Sequence, residues 1–489
     1  MNIIIFNKYI YCWLTICFIL ITFTINAYLI YNCNPKPWTD EVYIAEFGRV
    51  QIEKDTNWGA LEILGERIRK RGNSVFLGVR PQYWVYSKFG YKIARLYPLA
   101  LGCLTSFVAF ILLRQLNVTN LWSCIISLLL LWDPHYSQSY TSARCDSSAI
   151  FLCLVSLILF FKSIIIYHKK KYSSYIYALF AFIVFVLSCY AWTTIRSSAL
   201  VFLILFIIHV KENKLPWKEA FYEGLILFFI VLLCYYILHY YSVSSNKNII
   251  NHVIPQNQNY GLGNKQIIIN KIISFISLII KSPIFYVSGL LLLLSKYKYK
   301  YIYIFSFIVL LAVFFCTKMY VFRIIYMIPI NIITLGIFTR ENNLLNNKYK
   351  KVFLYITVIS LCFCFGYSLL RRNYLLYKKR DELNPIWVEN AFSNTELSNN
   401  NNATIMVQPR DLYYIGRNLG WRQFSAVSAD IFKTIHYDYL ILSKNAQKKF
   451  SLELIEEKYE LISTISCKDK KSDYGPYEIW RNKHINKQQ

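Results

Sequence analysis

The chain has 489 residues, 56% of them hydrophobic and 17% charged, with a formal net charge of +27. That is more apolar side chain than one soluble core can use, and it falls in runs long enough to cross a bilayer, which excludes a soluble globular enzyme and identifies a polytopic membrane protein. Lys and Arg gather in short clusters between those runs, the pattern that sets topology, so nucleic acid is set aside as a partner.

In chain order, about eleven segments, most of about 17–25 residues, read as spans. They run Tyr9–Tyr31, Ile93–Leu113, Leu121–Trp132, Ser147–Tyr167, Ser173–Tyr190, Ser197–Val210, Ala220–Tyr241, Ile272–Leu294, Tyr301–Cys316, Phe322–Phe338 and Val352–Leu370. The third, sixth and ninth are short. An amphipathic or re-entrant segment fits within Asp55–Arg71 or Ile267–Lys281.

The basic loops set the orientation. His168–Lys171, the Lys211, Lys214 and Lys218 stretch, Lys296, Lys298 and Lys300, and Arg340 with Lys348, Lys350 and Lys351 occupy alternate loops and belong on the cytoplasmic side. The N-terminus is then inside, and the loops 32–92, 133–146 and 242–271 and the tail after Arg371 lie outside. Arg371, Arg372, Lys378, Lys379 and Arg380 break the charge rule at this last exit. No small-residue cleavage site follows the first apolar segment, so it reads as a retained helix.

The chain thus divides into a transmembrane module, residues 1–370, and an extracytoplasmic C-terminal domain, residues 371–489. Beyond the low-complexity stretch Leu397–Asn402, alternation predicts a strand at Thr404–Val407, a helix or turn at Asp411–Asn418 and a second strand at Tyr437–Ser443. The fold class is mostly α, with a small C-terminal α/β extramembrane domain of about 100 residues. Most of the 13 cysteines lie inside apolar runs, where they act as small hydrophobes. Cys33 and Cys467 could bridge outside the membrane; free thiols are the simpler reading.

The chemistry centres on Asp40-Glu41, an acidic pair a few residues past the first span, in Pro35-Lys36-Pro37-Trp38-Thr39-Asp40-Glu41. Two adjacent carboxylates in a partly desolvated site can divide roles, one activating or orienting an acceptor, the other binding acceptor or metal. An interfacial acidic turn is the plainer reading, and Glu46 and Asp55 are other acids in the same loop. Cations lie nearby at membrane level: Arg80 in Arg80-Pro81-Gln82, then Lys88, then Arg95 in Arg95-Leu96-Tyr97-Pro98. Arginine suits bidentate phosphate binding. Ala143-Arg144-Cys145-Asp146 puts another carboxylate at the start of the fourth span, where a helix N-terminus would also stabilise it. Lys318, Arg323 and Tyr326 mark a further outer boundary, suited to a lipid phosphate and equally able to snorkel.

The order of these features resembles the GT-C glycosyltransferases, and within them the protein O-mannosyltransferase and aminoarabinose-transferase-like group. The resemblance runs through an acidic pair after the first span, Arg-Leu-Tyr-Pro entering the second, Ala-Arg-Cys-Asp entering the fourth, and Lys-x-x-x-x-Arg-x-x-Tyr-x-x-Pro late in the membrane region. It covers most of residues 1–370.

The resemblance implies transfer of a sugar from a polyprenyl-phosphate donor to a lipid, glycan or protein acceptor on the non-cytoplasmic face, with inversion. By position, Asp40 matches the acid that serves as base or orients the acceptor, with Glu41 beside it, Arg95 the arginine of the second span, and Asp146 the acid opening the fourth. Arg80, Lys88 and Arg323 are candidates for the donor phosphate, with Arg144, Lys318 and Tyr326 as further site candidates. The usual prolines of the first outer loop are reduced to Pro81. Related enzymes differ over a divalent cation, so the cofactor stays open. A bacterial inner membrane is the expected location, with the endoplasmic reticulum as the alternative. The rival classes are a polysaccharide polymerase or ligase, which also uses outer-loop arginines, and a transporter of lipid-linked sugar, which calls for polar groups at mid-bilayer and an internal repeat.

Overall fold

The computed structural model describes residues 2–33, 41, 80–167, 170–191, 198–212, 325–342, 348–399, 403–408, 412–424, 437–443, 452–466 and 474–484, with isolated positions between 195 and 304. Elements are numbered along these residues. Of the predicted spans, Ala220–Tyr241, Ile272–Leu294 and Tyr301–Cys316 lie outside them apart from single positions, as do Asp40, Lys318, Arg323 and Cys467, and the side chain of Arg80.

The membrane region begins with α1 (Asn2–Cys33) and α2 (Arg80–Gln115). Next come α3 (Asn120–Leu131), the short α4 (Pro134–Tyr140), α5 (Asp146–Ile166), α6 (Lys171–Ala191) and α7 (Ala199–Glu212). A 3-10 turn at Ile325–Met327 leads into α8 (Ile328–Asn342), followed by α9 (Lys348–Lys378). Four described helices are long and apolar enough to cross a membrane: Tyr9–Cys33, Pro81–Gln115, Asp146–Ile166 and Tyr172–Ala191. The outer surfaces of α1 and α9 carry exposed Trp13, Leu20, Ile21, Ile356, Phe363 and Tyr367, the composition a lipid-facing surface requires.

Sequence explains where these helices break and touch. Asp133 caps α4 by accepting from the backbone N–H groups of His135 and Tyr136, each at 3.0 Å, ahead of Pro134 at the first helical position. Within α2, Gly90 has φ +77°, so an initial helix over 80–89 turns into the spanning part over 91–115. A side chain rarely adopts that conformation. Further along α2, Gly102 meets the Tyr140 ring of α4 so closely that a β-carbon would collide with it. Tyr140 in turn donates to the Leu131 carbonyl at 2.7 Å, so α4 is pinned against α2 and the end of α3.

At 31 residues, α9 is about 45 Å long, beyond the roughly 30 Å of hydrocarbon. Its last turns, with Arg371 and Arg372, therefore extend to the bundle end that holds α4. From there the chain enters α10 (Ile386–Ser393), then β1 (Thr404–Val407), α11 (Tyr413–Asn418), β2 (Arg422–Phe424), β3 (Tyr439–Ser443), α12 (Leu452–Lys458), β4 (Tyr459–Ile465) and β5 (Tyr477–Asn482).

The strands form one sheet, order β2-β1-β3-β5-β4. β1 pairs parallel with β2 and β3, while β5 runs antiparallel to β3 and β4. Alternation puts Ile405, Val407 and Ile441 in one core with Val388 and Phe392 of α10, and Met406, Leu440 and Leu442 in another with Ile455 of α12. Both faces are covered, as parallel pairing demands. Cys33, by contrast with a bridged reading, is a buried free thiol.

Candidate functional site

Glu41 is fully buried at the end of the bundle where α1 stops and α2 begins. Arg95, one turn into the spanning part of α2, closes on it with two prongs: Nε donates to Oε2 at 2.9 Å and Nη2 to Oε1 at 3.0 Å. Oε2 also accepts from the Tyr91 hydroxyl at 3.2 Å and from the Ala143 backbone N–H at 3.0 Å. A buried carboxylate with a bidentate arginine and further N–H and O–H donors is fixed in place. Arg95 spends its Nε and Nη2 donors on Glu41. The pair ties the first outer loop, α2 and the α4–α5 turn together at one point.

Tyr91 lies between two layers. The Arg95 guanidinium sits 4.3 Å from its ring centre, while the Tyr414 ring of α11 stacks on it at 3.8 Å and 21°. Tyr86 meets Tyr414 edge-on at 6.0 Å. The C-terminal sheet layer therefore contacts the membrane region through a tyrosine of α11 that covers the Glu41–Arg95 pair. The buried Tyr414 hydroxyl has no hydrogen-bond partner among the described residues, and burial holds it well above the ordinary phenol range.

A second buried cluster opens α5. Asp146, fully buried, accepts from Arg144 Nε at 2.5 Å and from the Tyr326 hydroxyl. The Lys-x-x-x-x-Arg-x-x-Tyr segment thus brings its tyrosine to the acid that opens α5, 180 positions earlier in the chain. Among the described residues, no three potential metal ligands gather.

Beside Glu41 and Arg95 lies a cavity of about 230 Å³. Asn26, Leu29 and Ile30 of α1, Glu41, Arg95, Gln138 of α4, Thr141 and Ser142 after it, and Arg372 and Leu376 of α9 line it. Arg372 donates from Nη1 to Ser137 Oγ at 3.2 Å and from Nη2 to Thr141 Oγ1 at 2.9 Å. In the sequence, Arg372 shows only as an exception to the charge rule, and that exception is the signal that could have found it. Of the other site residues, Lys88 is exposed on the 80–89 helix, away from both clusters' buried interiors.

No protein-family model matches the sequence, and no curated protein does. Among solved structures, ArnT from Cupriavidus metallidurans bound to undecaprenyl phosphate aligns with TM-score 0.57 over 97% of this chain and 98% of that one, at 11% identity. Its apo form aligns with TM-score 0.58 over 96% and 97%, also at 11% identity. The chain has the ArnT fold. The Archaeoglobus fulgidus oligosaccharyltransferase, in a complex with zinc and sulfate, aligns with TM-score 0.50, at 11% identity, over 96% of this chain and 73% of its own. ArnT and the oligosaccharyltransferase are both GT-C proteins, the group that the order of sequence motifs resembles. With its apolar helices, the ArnT-like chain is a multi-pass integral membrane protein.

Proposed function

We propose that this protein is an integral-membrane glycosyltransferase that moves a sugar from a polyprenyl-phosphate donor to a lipid, glycan or protein acceptor on the extracytoplasmic face. The observation that carries the reading is the cavity at the loop end of the bundle, where buried guanidinium groups meet the first outer loop in a fold shared with ArnT over nearly the whole chain. That ArnT structure holds undecaprenyl phosphate, a lipid of the class proposed here as leaving group.

A phosphate is already a good leaving group, so such an enzyme needs chiefly a base for the acceptor, cations for the departing phosphate and exclusion of water. Asp40 takes the proton of the acceptor hydroxyl or amine. The freed lone pair attacks the anomeric carbon opposite the phosphate, the sugar–phosphate C–O bond breaks, and its electrons leave on the polyprenyl phosphate. Direct attack inverts the anomeric centre.

Glu41 and Arg95 are positioning residues in this scheme. Their ion pair fixes the chain one residue beyond Asp40, and the Ala143 N–H binds the same carboxylate. Asp146, Arg144 and Tyr326 hold the start of α5. Arg80, Lys88 and Arg323 remain proposed phosphate ligands, with Lys318 at the same outer boundary. The N-terminus is cytoplasmic, residues 371–489 form the extracytoplasmic domain, and the membrane is a bacterial inner membrane.

The test is sugar transfer by purified protein in detergent, from a panel of radiolabelled polyprenyl-phosphate monosaccharides, with membrane extract as acceptor. Transfer by the wild type and its loss in well-folded Asp40→Asn is the expected result. If the wild type leaves monosaccharide donors untouched but transfers whole lipid-linked oligosaccharides, a polymerase or ligase takes its place.

A further inference from the structure

We propose that the outward face of the last turns of α9, centred on Arg371, Tyr374 and Lys378, is a docking surface for the headgroups of anionic phospholipids in the surrounding leaflet. It lies on the side of α9 away from the cavity. Positions 363, 367, 371, 374 and 378 recur at steps of four and three and so share one face of the helix. Phe363, Tyr367 and Tyr374 are exposed there, as are Arg371 and Lys378. Leu369, Arg372 and Leu376 recur on the opposite face, where Leu369 is buried and the other two line the cavity.

Along the outward face, side chains follow the polarity profile of a leaflet. Phe363 comes first, then Tyr367, and Arg371 stands about 12 Å beyond Phe363 at 1.5 Å per residue. Lys378 is about 10 Å further on, with Tyr374 between the two cations. Apolar side chain, tyrosine and then cation is the order met in passing from hydrocarbon through the aromatic belt to the phosphates. At the end of the helix the Arg380 guanidinium packs 4.5 Å from the centre of the Tyr377 ring, and its pair with Asp381 is a long one, 3.7 Å between two exposed side chains.

Topology alone does not call for these cations. The apolar stretch of α9 has Lys348, Lys350 and Lys351 before it and Arg371, Lys378 and Lys379 after it. Whichever end faces the cytoplasm, one cluster stands where the positive-inside rule disfavours it, and with a cytoplasmic N-terminus, as proposed above, it is the later one. That cluster is dense: residues 371–382 hold five cations and two acids. Cations grouped beside a span attract anionic headgroups, with roughly a fivefold gain in binding for each Lys or Arg near the surface. A zwitterionic headgroup brings a cation of its own beside its phosphate, which Arg371, Lys378 and Lys379 repel. Net negative charge therefore selects the lipid. The surface does not depend on whether the protein transfers sugar.

Photolabelling of the full chain in lipid nanodiscs locates the headgroup. The probes are phosphatidylglycerol and phosphatidylcholine with the same acyl chains and a diazirine beside the phosphate, and the labelled residues are mapped by peptide mass spectrometry. In the wild type the 371–380 segment is expected to take label from phosphatidylglycerol well above that from phosphatidylcholine. Removing two cations in Arg371→Gln/Lys378→Gln should cut that preference by roughly ten- to thirtyfold, while labelling elsewhere on the chain stays as in the wild type. Arg371→Lys, which keeps the charge, should keep the preference. Equal labelling by the two lipids in the wild type overturns the surface. So does a preference that survives in the double variant, with both proteins shown folded by thermal unfolding. The substituted side chains are exposed, and should the double variant not fold, Lys378→Gln alone carries the same test with a fall of about fivefold.

Discussion

Glu41 and Arg95 lie 54 positions apart and meet in a two-pronged ion pair that is almost wholly out of solvent. Removing one member of such a pair costs far more than the pair itself contributes, because the other charge stays buried alone. Glu41→Gln and Arg95→Leu are each expected to lose about 3–5 kcal/mol of stability. The double variant should recover much of that loss, while activity stays low in all three. Thermal unfolding in detergent decides it; additive losses in the double variant would mean the two residues act independently.

The Tyr91–Tyr414 stack predicts a difference between ring and hydroxyl. Tyr414→Ala removes the ring that covers Tyr91, and should loosen the C-terminal layer enough to raise its protease sensitivity. Tyr414→Phe removes a buried hydroxyl that has no partner among the described residues, and should be neutral or slightly stabilising. Equal protease sensitivity in Ala and Phe variants would remove the stack as a cause.

Asp146 and Tyr326 lie 180 positions apart in the chain and share a hydrogen bond. A double-mutant cycle with Asp146→Asn and Tyr326→Phe should give a coupling of about 0.5–3 kcal/mol. Coupling near zero would show that the contact does not hold α5 to the 325–327 turn.

Gly102→Ala tests the close approach of α2 and α4. The added carbon meets the Tyr140 ring, which cannot retreat while its hydroxyl is bound to the Leu131 carbonyl. About 1–3 kcal/mol of destabilisation is expected, measured as a lowered Tm. Gly102→Ala combined with Tyr140→Ala should recover the packing clash.

In the sheet, burial pushes the Tyr437 hydroxyl from its ordinary 10.0 up to about 12, with Tyr459 beside it adding to the effect. The raised value means the folded state keeps the proton longer than the unfolded chain. Stability from the neutral phenol is therefore fully present below pH 10 and is lost as pH rises towards 12. Tyr437→Phe should flatten that part of the melting-temperature profile, and an unchanged slope would assign the loss to other groups.

Local signals were legible in the sequence, and long-range ones were not. The apolar run Ser147–Tyr167 coincides with α5 (Asp146–Ile166), and the alternation of Thr404–Val407 with β1, because hydropathy period is a property of neighbouring residues. The span predicted to start at Ile93 belongs to a helix that reaches back to Arg80, with the break at Gly90 hidden in an amphipathic stretch. α4 is seven residues, mostly polar, and reads as loop. Asp40-Glu41 and Arg95 stood out singly, but nothing in the order of residues says that Glu41 and Arg95 neutralise each other. Likewise Arg372 meets Ser137 and Thr141 across more than 230 positions. Pairings of that kind depend on tertiary packing.

Tyr414 is made more than three hundred residues after Tyr91. Chains fold from the N-terminus as they are synthesised, so α1 and α2 are in place long before α11 exists. Until then the Tyr91 ring lacks the aromatic partner that stacks on it. The cover over the ion pair is thus tied to synthesis of the C-terminal layer: a chain stalled before α11 carries the ion pair without it.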